Sequence, residues 1–480
     1  MYISLTYLSN HLLVFIHVAL ISRGEHKEAY SHSFRQWEFL SALSATIGEK
    51  KSSRQHASDI LHSLKESTSF INAYTYNPYI NNKNGGELPQ TVDLGSVQMY
   101  NEALQYVHFS STNDDIITTD IIKRATERCS LAHSSYVALA ELSDSYSELV
   151  NNSLQSKTFK DMIRTSSSND TWRIRHHEFT FVDDPYNPRF GMKTTRSVSK
   201  ERAVLPHLEQ LLIQFEGRVD LKHPELDIYL LEGLKDDEST KDTTRSSSKN
   251  DLHKILARRI ACGASHNIMA PKTRICITRT PLCAISSYIL CNIALIQDHQ
   301  TVLDPFSGSG ATLLASSLIS PTVKTVGIDI ATEDMISRSQ ICEDFTSRGA
   351  NPPLALLEGN VMDIATRNKA REAIGNDSFD AIITDPPYER RETYTSGDTS
   401  GSNSALNDLI DVMAYDRKHG NPLLKPDGKL VVFLPCPKDA DIIDLLPSKE
   451  RLALAGLKLV QKGEQRLNDA SRWILSFHSS

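Results

Sequence analysis

Two short loops constrain this chain more than any other feature. Asp304-Pro305-Phe306-Ser307-Gly308-Ser309-Gly310 follows the apolar run "QTVL", and Asp385-Pro386-Pro387-Tyr388 follows "FDAIIT". An apolar, β-branched run that stops at Asp-Pro reads as a buried strand emptying into a loop, because proline cannot continue a strand ladder. Between and around the two loops the pattern alternates. "TRTPLCAISSYILCNIALI" predicts a helix, "TVLDPF" a strand, "ATLLASSLI" a helix and "TVGIDI" a strand. "EDMISRSQICEDFTSRG" predicts a helix, "LALLEGN" and "FDAIITDPP" strands, residues 404–415 a helix and "GKLVVFLP" a strand. Such alternation predicts a doubly wound, mostly parallel α/β sheet. The tail "LKLVQKGEQRLNDASRWILSFHS" reads as an antiparallel hairpin.

At 480 residues the chain exceeds one ordinary core, so two or three domains are expected. Residues 1–112 read as an N-terminal α+β domain, with "LLVFIHVALI" as a buried first strand, "SFRQWEFLSALSATIG" as a helix and "LQYVHF" as a strand. The apolar run 12–21 is too short to span a bilayer, and no Lys or Arg precedes it as in a signal peptide. A polar stretch at 72–96 reads as an inserted loop. Residues 113–234 form a second α+β unit. It has a helix through Ile117, Ile121, Ile122 and Ala125 and a strand near Ser135–Ala140. "TWRIRHHEF" is a half-exposed strand and "LLIQFEGRVDLKHPELDIYLLEGL" supplies further short strands. Residues 235–253 are polar enough to be a linker, and 254–480 hold the parallel sheet.

The net charge of −7 does not advertise nucleic-acid binding, so any such contact must come from a local basic patch. The seven cysteines form no C-x-x-C pair, which fits reduced thiols in a cytosolic or nuclear protein and leaves no zinc cluster.

Ligands of open α/β sheets sit beyond the carboxyl ends of strands. There Gly308 and Gly310 would permit close backbone approach, with a helix N-terminus behind them, and Asp304 would receive an amino group. The loop is neither G-x-G-x-x-G nor a P-loop, and alone it reads equally as a plain Gly/Ser turn. Asp329, closing the next strand, would take ribose hydroxyls, and Asp363, after the third, a base amino group; each is singly an ordinary strand end. Phe306 and Ile330 join these as apolar lining. The Asp385 carboxylate and the Pro386 carbonyl would accept both N–H bonds of an aromatic amine. Pro387 stiffens the turn and Tyr388 offers a face for stacking an extruded base. A diproline turn with an incidental tyrosine is the plainer alternative. Together the loops point to methyl transfer from S-adenosyl-L-methionine to an exocyclic amine.

The order of these motifs resembles the amino-methyltransferase branch of the Rossmann-like methyltransferases. "FDAIITDPPYERRE", "QFEGRVDLKHPE", "IIKRATERCSLAHSSY", "QRLNDASRWI" and "FRQWEFLSAL" resemble the catalytic subunit of eukaryotic tRNA (guanine-10) N2-methyltransferases. The resemblance implies a THUMP-like RNA-binding domain over 113–234, and a tRNA substrate methylated at a guanine N2. It also implies a cytoplasmic location and a small zinc-binding activator subunit as partner. Candidate RNA contacts are Lys123, Arg124, Arg128, Arg173, Arg175, Arg258, Arg259, Lys272, Arg274 and Arg391, each singly an ordinary surface charge. Glu389 and Arg390 depart from the family's Gly and apolar residue after Asp-Pro-Pro-Tyr, while Arg391 and Glu392 match. "RTPLCAIS" replaces an expected Thr-Ser-Met-Asp. The alternatives are an adenine-N6 or cytosine-N4 methyltransferase on RNA or DNA, and a catalytically impaired RNA-binding paralogue.

Overall fold

The computed structural model describes residues 12–18, 29–30, 32–51, 69–72, 104–109, 118–182, 191–195, 198–234, 253–277, 281–330, 337–387, 404–437, 440–466 and 470–480. Tyr388, Glu389, Arg390, Arg391 and Glu392, residues 235–252 of the linker and most of the polar stretch at 72–96 lie outside them.

The described strands fall into two sheets. β1 (Leu12–Val18), β3 (Ser69–Asn72), β4 (Leu104–Phe109), β5 (Ala132–Ala138), β6 (Trp172–Val182), β7 (Gly191–Thr195), β8 (Leu226–Leu234) and β9 (His253–Cys262) form the first. Its order is β3-β4-β1-β5-β9-β8-β6-β7. The apolar N-terminal run is thus a strand, paired on both sides by β4 and β5. Segments before and after residue 112 share one sheet. β9 corrects the boundary expected at 254, because it pairs antiparallel with β5 and β8 and closes the first sheet instead of opening the second. Its buried run Lys254–Ala257 lies between two partner strands, which an isolated edge at a domain start could not satisfy. The Leu-Leu opening of "LLIQFEGRV" is helical, not a strand: Glu209–Leu212 is a short helix that buries Leu211.

The second sheet contains β10 (Thr301–Asp304), β11 (Lys324–Asp329), β12 (Ala355–Glu358), β13 (Phe379–Thr384), β14 (Leu424–Pro437), β15 (Leu457–Arg466) and β16 (Ala470–Ser479), with the two-residue β2 (Ala29–Tyr30). The order β12-β11-β10-β13-β14-β16-β15-β2 runs outward both ways from β10, with β12 to β14 parallel and β15 and β16 antiparallel. The expected alternation therefore holds. It needs one addition: the helix Ile364–Glu372 between β12 and β13, whose charged sequence concealed it. Arg367 and Arg371 from that helix are buried against Asp416 of the helix Ser404–Lys418.

The helix His32–Lys51 joins the two sheets. Its Trp37 packs in the core of the second, and Leu40, Leu43 and Ile47 pack on Ile121, Ile122 and Ala125 beside the first. Buried Glu38 accepts hydrogen bonds from the Ser130 and Leu131 amides at 2.7 and 2.8 Å and from Asn292 Nδ2 at 3.1 Å. Among the described residues no helix is long and apolar enough to cross a membrane.

Candidate active site

The strand Thr301–Asp304 is wholly buried, and Pro305 ends it. The chain then makes a tight turn through Gly308 (φ 49°) and Gly310 (φ 73°) before entering the helix Ala311–Ile319. Both glycines occupy the left-handed region that side chains resist. The turn is pinned from several directions. The Gly310 amide donates to Ser307 O at 2.7 Å and the Ser307 amide to Ile328 O at 2.9 Å. The Gly308 amide donates to Asp329 Oδ2 at 2.7 Å, so one oxygen of that carboxylate shapes the loop. Gly327 of β11 lies directly beneath: a Cβ there would stand 2.7 Å from Ser307 Oγ and 2.9 Å from Leu313 Cδ1.

Asp304 differs from expectation. Its side chain is only 2% exposed, and its oxygens accept from the Phe306 amide at 3.0 Å, Thr384 Oγ1 at 2.7 Å and Thr312 Oγ1. Burial pushes its carboxyl up to about 6, the hydroxyls and amide opposing the shift and nearby Asp329 adding to it. The residue expected to receive an amino group of the cofactor is turned inward and braces the loop. Thr384, at the end of β13, and Thr312, in the first turn of the helix Ala311–Ile319, reach the carboxylate first.

The other expected cofactor residues line the same rim. Asp329 is half-buried, Ile330 is 53% exposed and Phe306 is half-buried. Asp363 is exposed at the start of the helix Ile364–Glu372, where its carboxylate caps no helix amide. That helix is held by Arg367, which donates to the Val361 and Met362 carbonyls at 2.9 and 2.7 Å and pairs with Asp416.

β10 and β13 are parallel neighbours in the register Leu303↔Ile382, so their carboxyl ends open on one rim. The Thr384–Asp304 bond ties those ends together across 80 residues of chain. Asp385, Pro386 and Pro387 follow directly. Asp385 Oδ2 lies 3.6 Å from Nη1 of Arg472, a residue of β16. Thr312, Thr384, Ser307 and Arg472 are site residues that motif reasoning missed. Thr384 carried a signal, being the lone polar residue of the run "AIIT"; Arg472 had only its place in "SRW".

The basic residues divide. Arg128 is buried: its guanidinium donates to Asn292 Oδ1 at 2.9 Å and Ile296 O at 2.6 Å, joining the two sheets rather than facing a phosphate. Arg274, its side chain 3% exposed, pairs with Asp344 and donates to Ser309 O at 2.6 Å, supporting the glycine loop. Both were expected at an RNA surface, but their fork geometry satisfies buried carbonyls and carboxylates instead. Arg173 makes a two-point pair with Asp227 at 2.6 and 2.9 Å, and Arg259 pairs with the same carboxylate. Arg175 donates to Leu221 O at 2.9 Å. Arg124 pairs with Glu49 at 2.6 Å, and Lys123 lies 4.0 Å from Glu127. Lys272 is exposed and Arg258 half-buried.

Residues 271–400, which hold both loops, match the family described as UPF0020, "RMKL-like, methyltransferase domain". A mouse tRNA (guanine(10)-N(2))-methyltransferase TRMT11 is 28% identical over 251 residues, 50% of each chain. The chicken protein of that name is 27% identical over 53% of this chain and 58% of its own. A tRNA (guanine(10)-N2)-dimethyltransferase of Pyrococcus abyssi is 25% identical over 37% and 44%. The chain spans about half the length of the curated relatives it matches. Among solved structures, TrmN from Thermus thermophilus aligns with a TM-score of 0.36 at 16% identity, covering 79% of this chain and 90% of that one. Residues 271–400 are thus similar to the RMKL-like methyltransferase domain family and, across half its length, the chain is similar to tRNA (guanine(10)-N(2))-methyltransferases.

Proposed function

We propose that this protein transfers a methyl group from S-adenosyl-L-methionine to the exocyclic N2 amino group of a guanine in tRNA. The carrying observation is the shared rim: the glycine loop after β10 and the Asp-Pro-Pro turn after β13 leave adjacent parallel strands. The residues suit the cofactor. Gly308 and Gly310 allow close backbone approach, Ile330 offers an exposed apolar face, and Asp329 and Asp363 stand where ribose hydroxyls and an adenine amine would be received. When bound, the cofactor supplies an electrophilic sulfonium methyl. An aromatic amine is a poor nucleophile because its lone pair is delocalised into the ring. The Asp385 carboxylate and Pro386 carbonyl accept its two N–H bonds, hold the nitrogen in line and favour pyramidal geometry. The fixed φ of Pro386 and Pro387 keeps these acceptors ordered before the base arrives. Tyr388 stacks on the base.

The same reading takes residues 113–234 as a THUMP-like RNA-binding unit, with Lys123, Arg124 and Arg175 as its phosphate contacts and Arg258, Lys272 and Arg391 as further RNA contacts beyond it. Its partners are cytoplasmic tRNA and a small zinc-binding subunit, both supported by the family resemblance.

The test is nucleoside mass spectrometry of tRNA from cells lacking the protein, complemented with wild-type or Asp385→Asn chain. N2-methylguanosine is expected to fall and to return only with wild type. Unchanged N2-methylguanosine refutes the reading, and a loss of N6-methyladenosine or N4-methylcytidine instead identifies the amine wrongly assigned.

A further inference from the structure

Arg472 is a buried arginine beside the proposed acceptor, and its guanidinium is fixed by three different elements. Nε donates to Gln465 Oε1 of β15, and Nη2 donates at 2.8 Å to Ser286 Oγ of the helix Ala284–Ile293. The plane lies over the Phe433 ring of β14, with 4.1 Å from Cζ to the ring centroid. The remaining nitrogen, Nη1, faces Asp385 Oδ2 at 3.6 Å. At that distance the two form an ion pair, and the cation attracts the carboxylate. An arginine held only for packing would need neither the amide and hydroxyl partners nor a direction toward the strand rim.

We propose that Arg472 is a positioning residue for Asp385, holding its carboxylate at the end of β13 in the orientation that receives the amino N–H groups of the target base. The proposal rests on the function given above, and it adds a residue outside both loops. The fork is set by β14, β15 and the Ala284–Ile293 helix, so Asp385 is aimed before substrate binds. Misplacing a reacting group by an ångström costs about a hundredfold in rate, and an acceptor that has lost its orienting charge falls in that class. Lysine restores charge but not the planar fork.

The test uses the full-length chain, purified with any subunit that accompanies it, and steady-state methylation of unmodified tRNA by wild type, Arg472→Met and Arg472→Lys. Arg472→Met is expected to lower kcat between about tenfold and a hundredfold. KM for S-adenosyl-L-methionine should stay within about twofold, and Arg472→Lys should recover part of the loss. A kcat equal to wild type overturns the proposal. So does a matching rise in KM for the cofactor, or a lysine variant no better than methionine, since each signifies a structural role. Should the methionine variant fail to fold, the lysine variant carries the test by the same kcat-against-KM comparison, and wild-type kcat overturns it. A wild-type chain that methylates no tRNA refutes the function itself, and that arm is read separately.

Discussion

Asp304→Asn tests whether the inward-turned carboxylate braces the site at an electrostatic cost. Asp304 is almost completely buried, and its carboxyl is raised from an ordinary 3.8 to about 6. The folded protein therefore binds this proton more tightly than the unfolded chain. Stability from this group is greatest where both states are protonated, below about pH 4, and declines as pH climbs toward 6. Above that it is flat, with the full cost of burying the charge in place. About two units at about 1.4 kcal/mol each give about 3 kcal/mol. Asparagine keeps the shape: its Oδ1 can accept from the Phe306 amide and Thr384 Oγ1, and its Nδ2 can donate to Thr312 Oγ1 once that hydroxyl turns. Urea unfolding of both proteins from pH 4.5 to 8, followed by tryptophan fluorescence, isolates the group, because other titrating residues cancel in the difference. The variant is expected to gain relative to wild type as pH rises from 4.5, levelling above about pH 7 after a change of about 2 kcal/mol, the first ~1 kcal/mol of the total falling below the window. A pH-independent difference, or a variant losing ground at high pH, would refute the reasoning.

Two further outcomes follow from the glycine loop. Arg274→Met removes one of the two arginine partners of fully buried Asp344, Arg348 remaining, and the donor to Ser309 O, so a loss of about 1–3 kcal/mol is expected, with weaker S-adenosyl-L-methionine binding by calorimetry. Purely weakened tRNA binding at wild-type stability would instead return Arg274 to the RNA surface. Gly327→Ala drives a methyl against Ser307 Oγ and Leu313, and overpacking of about 1–3 kcal/mol is expected to reach the loop as a loss of cofactor affinity of about tenfold or more. Unchanged affinity would show that the loop does not depend on the floor beneath it.

Much of this architecture was legible before any coordinates. Apolar runs ending in Asp-Pro located β10 and β13, the strand–helix alternation gave the parallel sheet, and two glycines marked a turn that requires positive φ. These are local signals: a strand's burial, a proline's missing donor and a glycine's missing Cβ all act within a few residues. The helix Ile364–Glu372 escaped because "IATRNKARE" looks like solvent-exposed charge, whereas Arg367 and Arg371 are neutralised by Asp416, some 45 residues away. Arg128 and Arg274 misled for the same reason. A sequence shows a charge but not its partner, and the carboxylates of Glu49 and Asp344 are 79 and 70 residues distant from them. The chain by itself determined which loops could carry chemistry. Only the tertiary structure decided that Asp304 would face inward, that β9 would close the first sheet, and that Arg472 would stand beside Asp385. Each of those outcomes depends on which distant group reaches a buried charge or an open strand edge first, and burial makes that choice costly to reverse.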